Sequence, residues 1–187
     1  LKAGRLRFTT NTAEGVAGAR VIFLAVGTPP REDGSADLSH LEAAAGGIAA
    51  ALTAPAIVVI KSTVPVGVGG RIGELIRGRA AHPVQMVSNP EFLKEGNAVD
   101  DFLRPDRVVI GADDPQAAEI IAELHRPFVR NNRPILVMSR GAAELTKYAA
   151  NAYLATRISF INEISELCER LDVDIDDQGR MVDYSVT

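Results

Sequence analysis

The feature that most constrains this chain is a recurrence of short, wholly apolar runs set between helix-like stretches. Val21-Ile22-Phe23-Leu24-Ala25-Val26 has no polar alternation, the pattern of a strand covered on both faces. Ile57-Val58-Val59-Ile60 repeats it, and Val84-Gln85-Met86-Val87 repeats it more weakly. Val108-Val109-Ile110 and Ile135-Leu136-Val137-Met138 complete the set. Between these runs the pattern predicts helices over 38–52, 70–79 and 115–126. The last opens on Asp114 before Pro115, a capping carboxylate followed by a proline at the first helical position. Strands alternating with helices of this kind imply parallel pairing and a doubly wound α/β sheet.

From Ala142 the texture changes. Residues 142–172 contain neither Gly nor Pro, a stretch far longer than the earlier helices. Leu154, Ile158, Ile161 and Cys168 fall on one helical stripe, and Phe160, Ile164, Leu167 and Leu171 on the next. Two adjacent stripes make a wide apolar arc, which needs partners on more than one side. We place a domain boundary near 139–141, with residues 1–139 as one domain and 140–187 as the start of another. No G-x-G-x-x-G follows a strand, so the usual dinucleotide fingerprint is missing. Leu1 opens in what reads as mid-domain sequence. The expectation is the later part of a nucleotide-binding domain without its first βαβ unit.

Composition narrows the class. With 187 residues, 47% of them hydrophobic, the chain can build one full core and part of a second. Its 24 acidic residues outnumber 20 Lys plus Arg, and the basic ones are scattered, which argues against nucleic acid or an anionic membrane as partner. Cys168 stands alone, which suits a reducing compartment. His40, His82 and His125 are far apart, so no metal site is expected. No apolar run reaches the roughly 20 residues of a membrane span, and the expected location is cytoplasmic.

Chemistry is sought at the strand exits. Val26 runs into Gly27-Thr28-Pro29-Pro30, Ile60 into Lys61-Ser62-Thr63-Val64-Pro65, and Val87 into Ser88-Asn89-Pro90-Glu91. Each offers hydroxyl or amide groups and then a proline that ends the ladder. In a parallel sheet these carboxyl ends share one edge, where open α/β sheets bind ligands. Any one exit could be ordinary turn chemistry; three alike favour a site. Glu91 and Glu95 could supply a general base or line a solvated loop. Lys147 and Asn151, four apart, project from one side of the long helix and could stabilise an oxyanion, or Lys147 could be a surface lysine paired with Glu144. Cys168 lies on the apolar stripe and reads as a structural thiol.

Taken in order, five segments resemble the UDP-glucose/GDP-mannose dehydrogenase family. They are Phe23-Leu24-Ala25-Val26-Gly27-Thr28-Pro29-Pro30, Lys61-Ser62-Thr63-Val64-Pro65-Val66-Gly67, and Ser88-Asn89-Pro90-Glu91-Phe92-Leu93-Lys94-Glu95-Gly96. Phe102-Leu103-Arg104-Pro105-Asp106-Arg107-Val108-Val109-Ile110-Gly111 and Glu144-Leu145-Thr146-Lys147-Tyr148-Ala149-Ala150-Asn151-Ala152-Tyr153 follow. The likeness runs from about Arg5 to Leu171, and the Pro90 segment is more similar to the UDP-glucose branch. It implies a Rossmann-like NAD-binding domain followed by the central helix of an all-helical dimerisation domain. It also implies a four-electron oxidation of UDP-glucose to UDP-glucuronate with two NAD, through a thioester on a cysteine. By matched position, Thr28, Ser62 and Thr63 would contact NAD, and Thr63 would also help hold the catalytic water. Glu91 would be the acid/base partner of that water. Glu91, Phe92, Leu93, Lys94 and Glu95 would line the sugar-nucleotide site, with Glu95 near NAD. Lys147 and Asn151 would stabilise the oxyanion and touch the substrate, and the helix over 142–172 would form a homodimer.

The family's glycine-rich opening, its cysteine-bearing segment and its C-terminal domain have no counterpart in these 187 residues. This chain alone is therefore expected to lack dehydrogenase activity. Two other readings compete. A β-hydroxyacid dehydrogenase also uses a lysine and asparagine four apart, but has no use for the Asn89 to Gly96 motif. A non-catalytic dimerising or sugar-nucleotide-binding module would keep the loops and helix without the chemistry.

Overall fold

The computed structural model describes residues 4–94, 96–129 and 134–174. In chain order these form α1 (Thr12–Val16), β1 (Val21–Leu24), α2 (Ser39–Ala51), β2 (Ala56–Ile60), α3 (Val68–Arg77) and β3 (Val84–Ser88). Then follow α4 (Ala98–Leu103), β4 (Val108–Ala112), α5 (Pro115–His125), a 3-10 turn (Arg126–Phe128), β5 (Ile135–Met138) and α6 (Arg140–Leu171). Two compact units divide the chain, Leu1–Lys147 and Tyr148–Thr187.

In the first unit all five apolar runs are strands of one sheet, in the order β1-β2-β3-β4-β5. Every residue of β2 is buried, and the pleat explains why one strand can be apolar throughout. Ala56, Val58 and Ile60 face a cluster with Leu41, Ile48, Ile72 and Ile76 of α2 and α3. Ile57 and Val59 face the opposite cluster, with Ala118 and Ile121 of α5. Asp114 does cap α5: its side chain accepts from the Gln116 backbone N–H at 2.8 Å, with Pro115 at the first position.

One pairing departs from the expected all-parallel arrangement. β1, β2 and β3 are mutually parallel, but β4 runs antiparallel to β3, and β5 runs parallel to β4. The cause lies in the connection. A parallel crossover usually returns through a helix along the strand's length, whereas the six residues of α4 rise only about 9 Å. The chain therefore re-enters the sheet from the edge it has just left. β4 and β5 together deliver the start of α6 to that same edge, with Met138 beside Gly111 and Gly111 beside Ser88. Glycine at 111 permits this, because a Cβ there would lie 2.6 Å from the Ala143 Cβ and 2.7 Å from the Arg140 Cα.

Smaller differences are local. β1 stops at Leu24 rather than Val26, because the Leu24 carbonyl accepts from the N–H of Lys61 at 2.8 Å and Val26 is held by a side chain instead. The helix α1, capped by Asn11, and the helix α4 are too short to leave a periodic signature. α6 begins two residues earlier than the Gly- and Pro-free run, on Arg140.

The described residues of the second unit, 148–174, are the remainder of α6 and its end. Asp172 adopts φ 53° and the Val173 N–H donates to the Cys168 carbonyl at 3.0 Å, a left-handed stop that closes the last turn. Within this unit Leu154, Ile158, Phe160, Leu167 and Leu171 are exposed, while Cys168 is buried. No described helix is long and apolar enough to cross a membrane.

Candidate active site

The exits of β1, β2 and β3 lie along one edge, as parallel strands require, and hydrogen bonds tie them together. The Thr28 hydroxyl donates to the Thr63 carbonyl at 2.8 Å, and the Ser62 hydroxyl to the Val26 carbonyl at 2.6 Å. These two bonds lock the first exit loop to the second. Lys61 reaches toward the third: its ammonium donates to Asn89 Oδ1 at 3.2 Å, and the Asn89 amide donates to the Val109 carbonyl at 2.8 Å. Asn89 is 1% exposed, and these two bonds, the second of them fully buried, fix its side chain. Burial pulls the Lys61 ammonium below its ordinary value of 10.5, and the negative charge of Glu91 partly opposes this.

Glu91 is oriented by its own loop. Its Oε2 accepts from the Leu93 N–H at 2.6 Å, leaving Oε1 toward Lys147, whose ammonium stands 3.3 Å away. Lys147 is 7% exposed. Its Nζ also lies 5.3 Å from the centroid of the Phe92 ring, which Arg107 approaches at 4.4 Å. A buried lysine of this kind depends on its carboxylate, since removing either partner leaves an uncompensated charge. Ile60, Ser62, Val64, Ser88, Pro90, Glu144 and Lys147 line one small pocket between the second exit, the third exit and the start of α6.

The structure therefore brings Thr28, Ser62, Thr63, Glu91, Phe92 and Lys147 to one edge of the sheet. Thr63 takes part through its carbonyl. Lys94 points outward, pairing with Asp101 at 3.5 Å while its own side chain stays 69% exposed, and Leu93 contributes its N–H to Glu91. Glu95 lies outside the described residues. Asn151 is exposed on α6 within the second unit. Glu144 does not pair with Lys147, as its spacing suggested. It is 3% exposed and accepts from the N–H of Gly67 at 2.7 Å, the N–H of Gly69 at 3.1 Å and the Ser88 hydroxyl at 2.9 Å. Sequence reasoning also gave no role to Lys61, Asn89 or Arg107. Lys61 and Asn89 stood inside two of the exit motifs, so their position was a signal left unused. Among the described residues no group of three or more His, Cys, Asp or Glu side chains could hold a metal ion.

Chemically, this edge of the sheet carries an ammonium, a carboxylate with one oxygen facing it, and several hydroxyls. An ammonium so enclosed can neutralise an alkoxide, and the carboxylate can take or return a proton. Residues 1–129 match the family model for the NAD binding domain of the UDP-glucose/GDP-mannose dehydrogenase family, and residues 141–184 match its central domain. The chain belongs to this family. It is 55% identical over 185 residues to the UDP-glucose 6-dehydrogenase of Pseudomonas aeruginosa, covering 96% of this chain and 41% of that relative. The corresponding enzyme of Rhizobium meliloti is 50% identical over 182 residues, covering 95% and 42%. A solved UDP-glucose dehydrogenase from Pyrobaculum islandicum superposes with a TM-score of 0.90 at 42% identity, over 97% of this chain and 42% of that one. The chain thus spans about two fifths of the length of the relatives it matches. Membership of the family sets the β-hydroxyacid dehydrogenase reading aside.

Proposed function

We propose that this chain is the cofactor-side part of a cytoplasmic, NAD-dependent dehydrogenase that oxidises UDP-glucose to UDP-glucuronate in two hydride transfers. The observation that carries the reading is the Lys147–Glu91 pair, 3.3 Å apart on groups from the long helix and the third strand exit. In this reading residues 1–139 are a partial Rossmann-like NAD-binding domain, and residues 140–187 begin a helical dimerisation domain.

Lys147 stabilises the negative charge that develops on the sugar's C6 oxygen as its proton leaves, and Asn151, four residues on, adds an amide donor. Glu91 accepts a proton through Oε1 and, with Thr63, orients the water that hydrolyses the thioester. The covalent thioester needs a thiolate, which residues beyond this chain supply; Cys168 is buried on α6 and is not assigned that role. Glu91, Phe92 and Leu93 would line the sugar nucleotide; Lys94 would join them by leaving Asp101, and Glu95, outside the described residues, completes the proposed set.

The residues present suit a nicotinamide dinucleotide. Thr28 and Ser62 sit at parallel strand ends with hydroxyl oxygens that still accept hydrogen bonds, and a Cβ at Gly27 would meet nothing within 4 Å, so the backbone there is open to a ligand. Bound NAD would supply the hydride acceptor, and Thr28, Ser62, Thr63 and Glu95 would hold it. Homodimerisation through 142–172 is supported by the exposed apolar residues Leu154, Ile158 and Leu171.

The test is NADH formation by the intact protein. UDP-glucose should yield two NADH per sugar, the 187-residue chain alone none, and Lys147→Ala in the intact protein should lose about 10²–10³-fold in kcat. NADH formation from small hydroxy acids but not from UDP-glucose would reverse the assignment. Light scattering that finds a stable monomer would count against the dimer.

A further inference from the structure

We infer that Glu144 is a positioning residue, a buried carboxylate that clamps the start of α6 to two strand exits and so sets Lys147 opposite Glu91. Helix α3 begins without a cap of its own. Its N-cap is Gly67, at φ 91°, with no side chain to accept from the first-turn N–H groups. Glu144 fills that role from a distant part of the chain. One carboxylate oxygen takes the Gly67 N–H, and the other takes the Gly69 N–H together with the Ser88 hydroxyl. The carboxylate also sits where the helix dipole favours negative charge.

Three elements thus meet on one side chain: the β2–α3 loop that carries Ser62 and Thr63, the β3 exit that carries Asn89 and Glu91, and α6. Lys147 lies three residues beyond Glu144, on the same side of the helix, and both line the same pocket. The clamp therefore fixes the helix's height and rotation within one turn of the lysine. Gly69 is part of the fit, since a Cβ there would overlap the Glu144 carboxylate and lie 3.0 Å from the Ser88 hydroxyl. Glutamine cannot substitute, because two separate oxygens accept backbone N–H groups and a glutamine would turn its NH2 toward one of them. The consequence for turnover rests on the function proposed above; the placement of Lys147 does not.

The experiment measures competitive acetylation of Lys147 by acetic anhydride in the intact protein, with exposed Lys94 as internal reference. Glu144→Gln should raise Lys147 labelling relative to Lys94 by about fivefold or more, because labelling follows the population in which the lysine is released. Ser88→Ala, which removes one of three bonds, should raise it about twofold, and it decides the matter alone if Glu144→Gln fails to fold. Ile72→Val, a core change in α3, should leave the ratio unaltered. Unchanged labelling in the Glu144 and Ser88 variants, or an equal rise in the Ile72 variant, overturns the inference. Kinetics add a second readout: Glu144→Gln should lower kcat in the wild-type background and have no further effect beside Lys147→Ala. Failure of the wild type to oxidise UDP-glucose would end the functional reading, and the labelling ratios would still decide the role of Glu144.

Discussion

In the first unit Val58, Val59, Ile110 and Ile121 have essentially no exposed surface, whereas along α6 in the second unit Leu154, Ile158 and Leu171 are more than half exposed. All are branched aliphatic residues, and in the sequence both regions announce themselves by apolar content. What differs is how each supplies its cover. The strands bury both faces against helices that the same stretch of chain provides between them. The helix has two apolar stripes and, among the described residues of its own unit, no second element to lay them on. Periodicity therefore reports that a surface will be covered, but not by what.

That contrast can be broken most directly by truncation. In the 187-residue chain, Ile110→Ala should lower unfolding free energy by about 2–5 kcal/mol, read by urea denaturation. Leu154→Ala in the same chain should stay within about 0.5 kcal/mol. Equal costs at low protein concentration would mean that the helix face is enclosed within this chain, and the comparison would fail. A smaller effect tests the helical layer over the sheet: Asp114→Ala should cost about 1 kcal/mol through loss of the α5 cap, measured the same way.

The smallest effect concerns His125 at the end of α5. Its burial depresses its pKa below 6.5, with the backbone bond to Ile121 opposing and the charge of Lys61 adding to the shift. The folded state then binds fewer protons than the unfolded chain between the depressed pKa and 6.5. Stability should fall as pH drops through that window and level off below it. Thermal midpoints measured from neutral to mildly acidic pH should show the decline in the wild type and a flatter profile in His125→Asn.

Much of the first unit was legible because fully apolar runs carry a two-sided burial signal that needs no tertiary knowledge. Ile135–Met138 appears with the expected bounds, and Asp114-Pro115 marks the start of α5. Strand direction was less accessible. The reversal at β4 depends on how far the 89–107 connection can travel, and its six-residue helix gave no periodic trace. Glu144 shows a second kind of limit. Its spacing from Lys147 suggests a local ion pair, but three donors far away in the chain claim its oxygens, and Lys147 is taken by Glu91. Local spacing lists candidate partners, and long-range geometry chooses among them. The three strand exits were recognisable as a set because each pairs polar groups with a proline, a chemistry that does not depend on knowing which strands are neighbours.

At Gly111 the first turn of α6 rests on β4 where any side chain would collide with Ala143 and Arg140. The atoms met are the Ala143 methyl, the Arg140 Cα and the Ser139 carbonyl, so no rotamer can adjust the seat. A methyl group at that point would act as a shim beneath the helix, detuning an ammonium–carboxylate separation while leaving both charged residues intact. The reach of the lysine is thus gauged by a hydrogen atom on a strand that itself holds no reactive group.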